Sequence, residues 1–212
     1  MIRAIKIFTF LGKDSTHDSS SFPAIIVLGI QGSGKSYFIN KLTCDTNVVD
    51  ISDDINHRQL QPSKTPVNAP SLKQYPNIPE PLYIVEVPGL DDYTRSDEDI
   101  LSELQTWLET EKCVLKGAIY LYDISRDRYP VSTKRAVDDF FRKWIGQDAR
   151  GKVVLGITKS DIVTDETLKN KRLEALRTNF WKGIMKRYEI REIIDTSSPK
   201  ASADIVKILL RS

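Results

Sequence analysis

The chain has 212 residues, with 31 Lys+Arg against 29 Asp+Glu and a formal net charge of +2 at pH 7. A composition of 40% hydrophobic and 28% charged residues is that of a soluble globular domain; it argues against wholesale disorder, and no run approaches the roughly 20 apolar residues that span a bilayer. Cys44 and Cys113 show no disulfide or zinc spacing and the histidines are His17 and His57, so histidine-triad and His-rich metal chemistry are disfavoured and a reducing, cytoplasmic setting is expected.

In chain order, the opening MIRAIKIFTFLGK has too short an apolar part for a secretory signal and lacks a small-residue cleavage site. Residues 12–22, rich in Ser, Asp and Gly, read as the end of a flexible lead-in (1–22) to a single domain over 23–212. AIIVLG (24–29) is a continuous, largely β-branched apolar run closed by glycine, the pattern of a strand buried on both faces of a parallel sheet. After a glycine-rich turn, Phe38, Ile39 and Leu42 form a helical stripe. The connection 44–81 is long and holds Pro62, Pro66, Pro70, Pro76, Pro79 and Pro81, so it is expected to be irregular and either functional or mobile.

LYIVEV (82–87) is the next strand, and Ser96 before Asp97, Glu98 and Asp99 is a helix start leading into Ile100, Leu104 and Leu108. GAIYLYDI (117–124), VVLGIT (153–158) and EIIDT (192–196) repeat the strand pattern. Between and after them come helical stripes at Ala136, Val137, Phe140 and Trp144, then Leu173, Leu176, Phe180 and Ile184, and finally Ile205, Ile208 and Leu209 in a helix over 201–210. The basic stretch Lys169 to Arg191 reads as a solvated outer helix face rather than a lipid or nucleic-acid surface. Strand and helix alternate, which predicts an α/β fold with a mostly parallel sheet, helices on both faces, and ligands at the carboxyl ends of the strands.

Gly29-Ile-Gln-Gly-Ser-Gly-Lys-Ser36 matches G-x-x-x-x-G-K-[ST] between a buried strand and an amphipathic helix, the context a P-loop NTPase requires. Backbone amides across Gly29, Gln31, Gly32, Ser33 and Gly34 can turn inward around a polyphosphate, Lys35 can reach its β and γ oxygens, and the Ser36 hydroxyl can ligate Mg²⁺. Tyr37, the next residue, completes the candidate loop contacts.

Further segments resemble the translation-factor-related class of P-loop GTPases, which have a Ras-like G domain. Val85-Glu86-Val87-Pro88-Gly89 lies where that class places D-x-x-G, so the resemblance gives Glu86 a Mg²⁺-bound water and the Gly89 N–H the γ-phosphate; Glu86 is one methylene longer than the usual Asp. Thr158-Lys159-Ser160-Asp161 resembles the guanine motif [NT]-K-x-D: Asp161 can accept from guanine N1 and N2, and the Lys159 stem can lie along the base. Thr196-Ser197-Ser198 departs from the S-A-[KL] loop that it replaces, so Ser197 and Ser198 are named by position alone. The class also needs a switch I threonine to cap Mg²⁺. Thr16, Thr43 and Thr46 fall outside the right stretch, and Thr65, inside the 44–81 connection, is the choice; residues 88–97 then form switch II.

More closely, GSGKSYFINKLT, VPGLDDYTRSDEDIL and GAIYLYDISRDR resemble the avirulence-induced, immunity-associated GTPases and the similar fungal single-domain GTPases, relatives of septins, over about residues 24–200. The resemblance implies a homodimer formed face to face across GTP, with an arginine supplied in trans. Leu90 stands where Ras-type enzymes carry a water-orienting Gln, so intrinsic hydrolysis should be slow. Arg128, with Arg126 second, is the candidate finger; the alternative is a surface arginine paired with Asp123 or Asp127. Gln31 either helps place water or simply suits the loop. A slow dimer-activated GTPase, a guanine-nucleotide switch with negligible turnover, and a P-loop nucleotide kinase remain as readings. No nucleic-acid partner is expected; membrane association stays open but unsupported, since Ile2 and the lack of a prenylation box give a lipid anchor no sequence support. At this length the chain reads as a bare G domain.

Overall fold

The computed structural model describes residues 21–43, 60–67, 79, 81–145, 152–197 and 201–210, with only the backbone of Trp144, Ile145, Ser202 and Ala203. The strands are β1 (Phe22–Gly29), β2 (Ser63–Pro66), β3 (Tyr83–Glu86), β4 (Cys113–Asp123), β5 (Val153–Thr158) and β6 (Ile194–Asp195). The helices are α1 (Lys35–Thr43), α2 (Asp97–Thr110), α3 (Val131–Phe140), α4 (Glu166–Ala175), α5 (Lys182–Arg187) and α6 (Ala201–Leu210). α3 runs on into a π-helical turn, Phe141–Ile145, and α4 into another, Leu176–Phe180. The sheet order is β2-β3-β1-β4-β5-β6, with β2 antiparallel to β3 and every other pairing parallel.

Both faces of this sheet are buried, as its continuous apolar strands require. Side chains alternate along a strand, so Ile26 and Leu28 of β1 join Tyr120 and Tyr122 of β4 in one core with Ile100, Leu104, Val137 and Trp181. Ile25 and Val27 join Ile119 and Leu121 on the other face, under Phe38 and Ile39 of α1 and Ile205, Val206 and Leu209 of α6. Each such aliphatic side chain, fully buried, contributes on the order of 1.5–3 kcal/mol relative to exposure. α2 starts where its cap demands: the Ser96 hydroxyl accepts from the Asp99 N–H at 3.1 Å.

Three expectations need correction. The 44–81 connection is not irregular throughout, because Ser63–Pro66 adds an antiparallel edge strand; Pro66 is tolerated there as the strand's last residue at the sheet edge. β4 begins at Cys113 rather than Gly117, since the register shifts between Ala24 and Ile25 and leaves Lys116 as an extra residue that a simple apolar run does not reveal. Ile208 is 40% exposed, on the outer side of α6. No helix among the described residues is long and apolar enough to cross a membrane.

Candidate functional site

The carboxyl ends of β1, β3, β4 and β5 bring the motif segments together. The chain leaves β1 at Gly29 and turns through Gly32 and Gly34, at φ +74° and +78°, a backbone region that suits glycine. Gln31 N–H donates to Leu90 O at 2.7 Å and Leu90 N–H to Gly29 O at 3.0 Å, which lashes the loop to the segment after β3. Gly89 permits that approach: a Cβ there would lie 2.8 Å from Gln31 Cα. α1 then points the N-terminal end of its dipole, with first-turn amides that lack intrahelical acceptors, into the loop.

Lys35 is buried at 7% exposure. Burial pulls its ammonium below the ordinary lysine value, and the Glu86 carboxylate only partly offsets that. A buried cation short of counter-charge is a site that gains from an anion. Ser36 Oγ donates to Glu86 Oε1 at 2.7 Å. That oxygen pair beside the loop has the hard donor chemistry that suits Mg²⁺, and the buried Ser33 Oγ makes no hydrogen bond among the described residues. The residues present therefore fit a Mg²⁺-polyphosphate.

At the end of β5, Thr158 Oγ1 donates to Ser33 O at 2.9 Å and so joins the base motif to the phosphate loop. Lys159 adopts φ +56°, and its ammonium donates to Asp123 Oδ2 at 2.8 Å. Asp161 is exposed on a short 3₁₀ turn, Ser160–Ile162. Ser160 Oγ donates to Asp195 Oδ2 and lies 2.9 Å from Ser197 Oγ, while Asp195 Oδ1 accepts the Ser197 N–H at 3.0 Å. Burial alone would raise the Asp195 carboxyl, but these bonds from Ser160 and Ser197 hold it below its usual value. Lys41 of α1 donates to the carbonyls of Thr196 and Ser197 at 3.1 and 2.8 Å. Ser198 lies outside the described residues.

Thr65 is buried on β2 opposite Ile84, and it is Ser63 that pairs with Glu86. Thr65 is therefore about 6.7 Å along the strand from the level of the Ser36–Glu86 pair. Leu90 is fully buried; its backbone holds the loop, but its side chain brings no polar group to it. Tyr37 is 61% exposed beside the site. The arginines differ in their surroundings. The Arg126 guanidinium reaches Gln31 O at 3.4 Å and Asp91 Oδ2 at 3.5 Å. Arg128 is exposed and, among the described residues, joins no ion pair, although its carbonyl accepts from Tyr122 Oη at 3.1 Å. The expected pairing of either arginine with Asp123 or Asp127 does not occur: Lys159 and Ser125 take Asp123, and Arg172 takes Asp127.

Asp123, Arg172, Lys41 and Asp195 escape sequence reasoning, because no motif spacing marks them. A cavity of about 710 Å³ opens elsewhere, near α2, α3 and α5, lined by Glu98, Arg135, Asp138, Arg142 and Arg187 among others; none of the candidate site residues lines it.

The six-stranded, mostly parallel sheet with its helices on both faces has the fold of a Ras-like G domain. No family model matches the sequence, and no curated protein matches it significantly. Among solved structures, Toc33 from Arabidopsis thaliana in complex with Mg²⁺ and GMPPNP is similar at 17% identity and a TM-score of 0.61, over 90% of this chain and 85% of that one. Era from Aquifex aeolicus bound to GDP·AlF₄⁻ is similar at 17% identity and 0.56, over 90% and 56%. A probable GTP-binding protein, EngB, is similar at 13% identity and 0.53, over 89% and 98%. At these identities the likeness is one of fold.

Proposed function

We propose that the protein binds GTP and GDP with Mg²⁺ and hydrolyses GTP to GDP and phosphate, slowly alone and faster in a GTP-dependent homodimer that supplies an arginine in trans. The observation that carries this reading is the junction of the two motifs: Thr158 bonds Ser33 at 2.9 Å, so a phosphate loop and a base loop with Asp161 share one site. A nucleotide kinase has no use for that base loop. Mg²⁺, held by Ser36 and through water by Glu86, would offset charge on the β and γ phosphates. Lys35 would meet the same oxygens and the Gly89 N–H the γ-phosphate; Thr65 is the switch I residue proposed for the metal, two positions along β2 from the residue that pairs with Glu86. Asp161 accepts from guanine N1 and N2, with Lys159 along the ring and Ser197 and Ser198 beside the carbonyl oxygen.

Arg128, exposed two residues beyond Arg126, is the residue offered to a second copy; Arg126, already against Gln31 O, is second. A similar solved structure supports this direction: dimerization is important for the GTPase activity of the chloroplast translocon components atToc33 and psToc159. Kinship with the avirulence-induced and septin-related GTPases, a G domain over 23–212 and a cytoplasmic setting, which fits the buried free thiol of Cys113, belong to the same proposal. A switch with negligible turnover is favoured by one observation, the burial of Leu90, which leaves no water-orienting side chain after Gly89.

The base assignment has a direct test. Wild-type protein should bind GDP at least 100-fold more tightly than ADP. Asp161→Asn should move the preference to XDP, because xanthine presents a carbonyl where guanine presents an amino group and an Asn amide can donate to it. Equal GDP and ADP affinity would contradict the assignment.

A further inference from the structure

We propose that Asp123 is a positioning residue that couples the guanine end of the site to the arginine loop Ile124–Arg128. Asp123 is the last residue of β4 and lies opposite Thr158 in the parallel register, so it stands between the two motifs with its side chain 8% exposed. Its two carboxylate oxygens serve different elements. Oδ2 accepts the Lys159 ammonium at 2.8 Å, and Oδ1 accepts the Ser125 N–H at 2.9 Å and the Ser125 hydroxyl. Its carbonyl accepts the Arg126 N–H at 3.3 Å, and Ile124 N–H donates to Thr158 O at 3.2 Å. The turn so formed delivers the Arg126 guanidinium to Gln31 O of the phosphate loop and to Asp91 of the segment after β3.

The far side of the turn is fixed as well. Arg172 of α4 donates to the carbonyls of Ile124 and Ser125 at 3.0 and 2.8 Å and pairs with Asp127. With its outer side gripped, the turn meets the nucleotide site at its two ends, the phosphate loop through Arg126 to Gln31 O and the base motif through Ile124 to Thr158 O and through Asp123 to Lys159; the Asp123–Lys159 pair is the side-chain contact on the base side. Burial by itself would raise the Asp123 carboxyl, yet the bonds from Lys159 and Ser125 hold it below its usual value, as expected of a carboxylate ionised and engaged on both sides. A base seated along the Lys159 stem therefore steadies the ammonium, the carboxylate, and the turn that carries Arg126. The inference rests on the guanine-nucleotide reading above.

The test is amide hydrogen exchange across 124–128 with and without saturating GDP, recorded beside a GDP binding curve. In the wild-type protein GDP should slow exchange in this segment at least fivefold. Asp123→Asn keeps the Oδ1 acceptor for Ser125 but turns an amide donor toward Lys159; at its own saturating GDP the response in 124–128 should fall below twofold, while that of the phosphate loop 29–36 persists. Lys159→Met should give the same selective loss from the other end, and Asp123→Glu should recover part of the response. A 124–128 response that survives both Asp123→Asn and Lys159→Met, or that is absent from wild-type protein that binds GDP, overturns the inference. Wild-type protein that binds no GDP overturns the nucleotide reading and this inference together.

Discussion

At the scale of single residues, the site depends on close approach and on buried charge. Gly89 lets the segment after β3 touch the phosphate loop, and a methyl group there would press on Gln31 backbone rather than on a side chain able to yield. Gly89→Ala should lower the urea-derived stability by about 1–3 kcal/mol and weaken GDP binding at least tenfold; an unchanged midpoint and affinity would contradict the packing argument. Arg128→Ala should lower the concentration-dependent GTPase rate at least tenfold and leave nucleotide affinity within about twofold, whereas an unaltered rate would remove Arg128 as the finger. The motif residues were legible in the sequence because their roles depend on backbone conformation and local spacing. Asp123, Asp195 and Arg172 were not, since their partners Lys159, Ser160 and Ile124 lie 36, 35 and 48 positions away and only the folded sheet brings them together.

At the scale of elements, apolar runs gave the parallel strands and 3.6-residue stripes gave the helices, because both are set by which face is buried. The same logic misses β2, whose burial pattern has a single buried residue, Thr65, and whose existence depends on the edge of β3 being open for pairing. It reads as one helical stripe a segment that the structure divides: Leu173, Leu176, Phe180 and Ile184 all pack against the core, but they lie on α4, the π-helical turn and α5, no residue of α4 is fully buried, and the largest anchor is Trp181, between the turn and α5. Trp181 ties that unit to the sheet: it is fully buried, packs edge-on against Tyr120 and donates to Tyr129 Oη at 3.1 Å, and Tyr129 in turn donates to Tyr120 Oη at 3.0 Å. Trp181→Ala should cost about 3–5 kcal/mol in equilibrium unfolding, since it leaves both a cavity and a buried hydroxyl deprived of a donor. A loss below about 1 kcal/mol would mean that α5 is not held through this residue.

At the scale of the whole molecule, the near-zero net charge carried no information about an anionic ligand, because the arrangement is local: a buried Lys35 under a helix N-terminus at one end and the exposed Asp161 at the other. The fold class followed from the alternation of strands and helices. The quaternary state does not follow from either, since an arginine acting in trans leaves its mark only on a second copy. The decisive measurement is GTP turnover per molecule as protein concentration is raised, with molecular mass recorded in GDP and in a non-hydrolysable GTP analogue. The account predicts a monomer with GDP, a dimer with the analogue and a specific rate that climbs with concentration; a monomer with both nucleotides and a flat rate would contradict it.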